Sequence, residues 1–169
     1  MIVGVDPSFR ATGIVVWDET SSTLLFHTKF DTGEPVYSKI TDVHHAAERL
    51  IEVLRDVYNK FPDADWIVEY PALATRSGAY LAILHGYIAQ FLNSRVNIKS
   101  VTYVPPTSCN SFSSNKSKTK SYLVRFVREN YNIKGRFSND EATALILANL
   151  LVAIRNKEYK NSYFKYNKR

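Results

Sequence analysis

Cysteine is almost missing from this 169-residue sequence: Cys109 stands alone, which excludes an internal disulfide framework and a cysteine zinc site. Long apolar runs are missing too. None approaches the ~18 residues that a bilayer span needs, so no transmembrane helix is expected. The start, MIVGVDPS, places an acid at Asp6 and has no basic stretch before its apolar residues. It does not read as a signal peptide, and a cytoplasmic location is expected. Acid is scarce in the C-terminal third. Between Cys109 and Arg136 lie Lys116, Lys118, Lys120, Arg125, Arg128, Lys134 and Arg136, opposed only by Glu129. From Arg155 onward Glu158 is again the lone acid among six basic residues. With 22 basic and 16 acidic residues the formal charge is +6, a balance that suits a polyanionic partner but says nothing about chemistry.

What is present is a well-patterned globular chain, 45% hydrophobic and 13% aromatic. MIVGVD reads as a buried strand broken by a Pro-Ser-Thr-Gly turn. GIVVW (Gly13 to Trp17) and TLLFHTKF (Thr23 to Phe30) follow as two more strands across short polar turns. From Ser38 the period changes: Ile40, Val43, Ala47, Leu50, Leu54 and Val57 recur at helical steps. DWIVEYP (Asp65 to Pro71) predicts a fourth strand, Tyr80 to Phe91 a second helix, and Val96 to Val104 a fifth strand. A polar loop (Thr107 to Lys118) and helices near Thr119 to Tyr131 and Asn139 to Ile154 complete the order. The pattern is a mixed α/β domain: a three-stranded meander continued by parallel strands through helical crossovers. One domain over 1–155 and a basic, aromatic tail over 156–169 are expected.

Three acids occupy unusual places. Asp6 ends the first strand and Glu69 the fourth, each after apolar neighbours; Asp140 opens the last helix. Each has a structural reading of its own. Asp6 suits turn initiation, Glu69 a solvated strand end, Asp140 a helix cap. If the first and fourth strands are adjacent and parallel, however, Asp6 and Glu69 emerge at one sheet edge. Carboxylates gathered from separate elements repel unless a divalent cation neutralises them, and oxygen donors favour Mg²⁺ or Mn²⁺ over zinc.

MIVGVDPSFRATG, IVEYP, a Lys-rich loop running into a helix, and DEATALILANL together resemble the motifs of RuvC-type Holliday junction resolvases. These belong to the RNase H-like superfamily, and the resemblance extends over nearly the whole chain. The short length and divergent middle look like a phage-encoded version. The resemblance implies a five-stranded mixed sheet of order 3-2-1-4-5 with helices on both faces, a homodimer, and Mg²⁺-dependent nicking of four-way and other branched DNA. Asp6 and Glu69 match the family's first two metal ligands, and Asp140 one of the two ligands on the last helix. The other ligand position holds Thr143, a departure from the family's carboxylate. Glu141 is a candidate replacement, although it lies ~100° round the helix from Asp140. None of the four histidines stands in by sequence position.

The implied chemistry is phosphodiester hydrolysis with ions about 3.5–4 Å apart, one activating water and one stabilising the departing 3′ oxygen. Lys120 resembles the family's lysine near the scissile phosphate. Lys116 and Lys118 suit backbone phosphates, Arg76 a phosphate on the same face, and Tyr70 stacking on an unpaired base at the crossover. For each, a plain surface or packing role stands beside the functional one. Two other classes compete. The actin-like ATPases share the opening strand–turn–strand, but they need two such domains and a second glycine-rich phosphate loop. A branched-DNA-binding module with a weakened site fits the threonine at Thr143.

Overall fold

The computed structural model describes residues 1–8, 10–31, 40–71, 78–114, 120–159 and 164–167. Ile2–Asp6 (β1), Ala11–Asp18 (β2) and Thr23–Asp31 (β3) form the antiparallel meander. Ile40–Lys60 (α1) crosses to Asp65–Glu69 (β4), parallel to β1; Gly78–Asn93 (α2) crosses to Ser100–Val104 (β5), parallel to β4. Thr107–Phe112 (α3), Lys120–Tyr131 (α4) and Asn139–Arg155 (α5) follow, and Phe164–Asn167 (β6) runs antiparallel along β5. The sheet order is β3-β2-β1-β4-β5-β6. Its first five strands have the 3-2-1-4-5 order that the resemblance implies. No described helix is long and apolar enough to cross a membrane.

Strand periodicity divides the core in two. Val3, Val5, Ile14, Val16, Trp66 and Val68 face α1 and α2; Ile2, Val15, Trp17 and Ile67 face the α3–α5 side. α5 is buried nearly all round, with Ala142 through Ala148 enclosed between the sheet and α3 and α4. A fully buried leucine or isoleucine contributes about 1.5–3 kcal/mol, so Leu145, Ile146, Leu147 and Leu150 make α5 the hub of that half.

Two glycines let α5 lie directly on the sheet backbone. A Cβ on Gly4 would stand 2.0 Å from the Ala144 carbonyl oxygen, and one on Gly13 2.1 Å from that of Asp140. The two contacts are one helical turn apart, which fixes both the tilt and the axial position of α5. Its far end is tied as well, by Arg155 pairing with Asp65 at 2.6 Å and with Glu19 at 3.0 Å.

Three segments differ from the sequence reading. β5 begins at Ser100, four residues after Val96, because Val96 is almost fully exposed and only Ile98 between them is buried. Thr107–Phe112, within the expected polar loop, forms a helical turn and a half, started by Pro106 as its N-cap. Within the segment read as a tail, Phe164–Asn167 pairs Ser100 with Asn167 through Tyr103 with Phe164 and covers the β5 edge.

Candidate active site

β1 and β4 run side by side, Val5 opposite Val68, so that Asp6 and Glu69 occupy the next positions at the same end. Strand alternation sends both toward α5: Asp6 shares the parity of Ile2, and Glu69 that of Ile67. They line one cavity of about 200 Å³ with Pro106, Cys109, Asn110, Leu123 and Thr143. Asp6 is only 7% exposed. Burial first, then the charges of Glu69 and Asp6 and a hydrogen bond with Glu69, push the Cys109 thiol well above its ordinary pKa.

The turn that follows Asp6 is held by its own side chains. The Thr12 hydroxyl donates to the Ser8 carbonyl at 3.0 Å and accepts from the Ser8 amide at 3.2 Å. The Asp-Pro-Ser…Thr-Gly motif thus folds as a clamp, and it carries the chain from Asp6 back to Gly13, its cross-strand partner. Gly13 in turn seats the backbone of Asp140. Asp140 therefore enters the same end of the sheet through its main chain. Its side chain does not line the Asp6–Glu69 cavity. Among the described residues no group of three His, Cys, Asp or Glu stands close enough to hold a metal ion.

No family model matches the sequence, and no curated protein matches it. Solved structures do. Thermus thermophilus RuvC in complex with Holliday junction substrate superposes with TM-score 0.71 at 16% identity, over 92% of this chain and 94% of that one. A second Thermus thermophilus RuvC structure gives 0.69 at 15% identity, over 92% and 96%. Fowlpox virus resolvase, complexed with Holliday junction DNA, gives 0.52 at 20% identity, over 92% and 99%. This chain has the RuvC-like RNase H fold.

On that RuvC-like frame the remaining candidates fall in different places. Tyr70 follows Glu69, its amide donating to the Val104 carbonyl at 2.7 Å, and its ring is 43% exposed. It leans on the buried ring of His85, with centroids 6.1 Å apart. Lys120 opens α4, with its side chain outside the described residues; Arg76, Lys116 and Lys118 lie wholly outside them.

Glu141 does not join Asp6 and Glu69. Its Oε2 accepts from the Ser138 amide at 2.7 Å, and its Oε1 lies 2.6 Å from His27 Nδ1. Burial works against its charge, but the hydrogen bonds from Ser138 and His27 prevail and hold its carboxyl below the ordinary range. The carboxylate lines a separate cavity with Lys29, Arg136, Phe137 and Ser138. The physical reason is the helix angle noted above, together with a capping box that captures an acid three residues after its N-cap. Serine three residues before Glu141 was the available signal. Thr143, in contrast, does line the Asp6–Glu69 cavity, its hydroxyl donating to the Asn139 carbonyl at 3.1 Å. Cys109 and Asn110 had no sequence signal, because α3 was read as loop.

Proposed function

We propose that this protein is a structure-selective DNA endonuclease that nicks four-way and other branched DNA with Mg²⁺ or Mn²⁺. The observation that carries the proposal is the pair of carboxylates, Asp6 and Glu69, sharing one cavity at the end of the central parallel strands of a RuvC-like fold. Two proteins of that fold are solved with Holliday junction DNA.

The donor chemistry fits a hard divalent cation. Asp6 and Glu69 offer carboxylate oxygens, the donors that suit Mg²⁺ or Mn²⁺. Asp140, seated by Gly13 at the same end, is the candidate for completing the set. When bound, the metal supplies Lewis acidity for water activation and for the departing 3′ oxygen. The protein's own residues do the rest. Asp6 and Glu69, fixed by the strand ladder, set where charge can be neutralised. Lys120, at the start of α4, is assigned to the scissile phosphate, Lys116, Lys118 and Arg76 to the DNA backbone, and Tyr70 to stacking on a base beside the junction. A homodimer would place two such sites on one junction.

The second reading, a branched-DNA-binding module, draws on Thr143 at a ligand position and on the lack of a three-ligand group among the described residues. A labelled four-way junction incubated with Mg²⁺, Mn²⁺ or Ca²⁺ separates the two. Nicks in Mg²⁺ or Mn²⁺, lost in Asp6→Asn and Glu69→Gln while junction binding persists, are the expected result. Binding without nicks in every metal would favour the module.

A further inference from the structure

We infer that His27 is a positioning residue for Asp140, acting through Glu141; the inference rests on the endonuclease reading and adds a residue to that site. His27 is on β3, opposite Val15 of β2, so it shares the sheet face on which Val15 packs against α5. Two pairs further along, and so on the same face, Lys29 stands opposite Gly13, the seat of the Asp140 backbone. From there the His27 ring reaches Glu141, with Nδ1 2.6 Å from Oε1, and lies 5.0 Å from the Phe137 ring. A tautomer with hydrogen on Nδ1 donates to the carboxylate.

Asp140 lies inside the turn that this contact closes. Ser138 Oγ accepts from the Glu141 amide at 3.2 Å, and Glu141 Oε2 accepts from the Ser138 amide at 2.7 Å. The capping box alone ties the first turn of α5 to itself and leaves it able to fray as a unit. The link to His27, across 114 residues of sequence, ties that turn to the sheet. Gly13 sets the depth of Asp140 below, and His27 sets its sideways position from the next strand but one relative to Asp6.

This matters more here than in a chain with two acids on the last helix. Thr143 occupies the second position with its hydroxyl turned to the Asn139 carbonyl, so on the endonuclease reading Asp140 is the one ligand that α5 offers. A single ligand has no neighbour to compensate for a shifted turn, and partners one shell out from a ligand commonly alter metal affinity by ~10–100-fold.

The test uses the intact chain and three readouts: Mn²⁺ affinity from the free-ion electron paramagnetic resonance signal, hydrogen exchange at the amides of Asn139 to Ala142, and junction nicking. His27→Ala is expected to weaken Mn²⁺ binding roughly tenfold. It should also speed exchange of that turn and slow nicking while junction affinity stays unchanged. His27→Asn, whose side-chain amide can donate from near the Nδ1 position, is expected to recover most of each. Unchanged Mn²⁺ affinity and unchanged exchange in His27→Ala would overturn the inference. So would equal defects in His27→Ala and His27→Asn. Failure of the endonuclease reading shows elsewhere: the unmutated chain would lack Asp6-dependent Mn²⁺ binding and nicking, and the positioning role would fall with it.

Discussion

Individual residues decide how closely α5 approaches the sheet, and two glycines give opposite expectations for the same change. Gly13→Ala would drive a methyl group into the Asp140 carbonyl, backbone against backbone, with no flexible side chain to yield. Overpacking of this kind costs about 1–3 kcal/mol, and here it also displaces Asp140. A lower urea midpoint together with lost nicking is expected. Gly86→Ala, in α2, meets nothing within 4 Å. Relief of glycine's backbone entropy should leave that variant as stable as the parent or about 0.5–1 kcal/mol more so. Legibility at this scale followed the chemistry. Asp6 and Glu69 stood out because an acid closing a buried strand is costly without a purpose. His27 did not, because it sits on a half-exposed strand and its partner is 114 residues away.

At the scale of elements, α2 carries a titration that should be visible in stability. His85 is 8% exposed, its Nδ1 has no hydrogen-bond partner among the described residues, and burial lowers its pKa from 6.5 to about 4. Between those values the unfolded chain binds a proton that the folded chain refuses. The contribution is therefore complete above pH 6.5 and is lost as pH falls toward 4, by up to about 3 kcal/mol. Urea titrations at pH 7 and pH 4.5 should show a smaller drop for His85→Leu than for the parent. Equal drops would assign the acid sensitivity to other groups. The elements themselves were mostly readable from period: two for the strands, three to four for α1 and α2. α3 and β6 were not, since one is a six-residue helix in a polar stretch and the other gains its ladder only from β5.

For the whole molecule, the residue pattern made the meander and the parallel crossovers legible, and the strand order came from the resemblance to RuvC-type resolvases. The place of Asp140 was only half legible: its helix could be read from the residues, while the seat of its backbone on Gly13 emerged from the packed fold. Charge belongs to this scale as well. The formal +6, concentrated beyond Cys109, predicts junction binding that weakens linearly in log salt. Lys116→Ala and Lys118→Ala should each reduce that slope by about one without changing the cutting rate at saturation. Lys120→Ala should slow cutting more than it weakens binding; equal losses would make Lys120 another backbone contact.

The most direct measurement is a crystal of the protein soaked in Mn²⁺, with data collected for anomalous scattering at the metal edge. An anomalous peak within coordinating distance of both Asp6 and Glu69, absent from Asp6→Asn crystals, is the predicted result. A soaked crystal with those two carboxylates well ordered and no manganese between them would contradict the account.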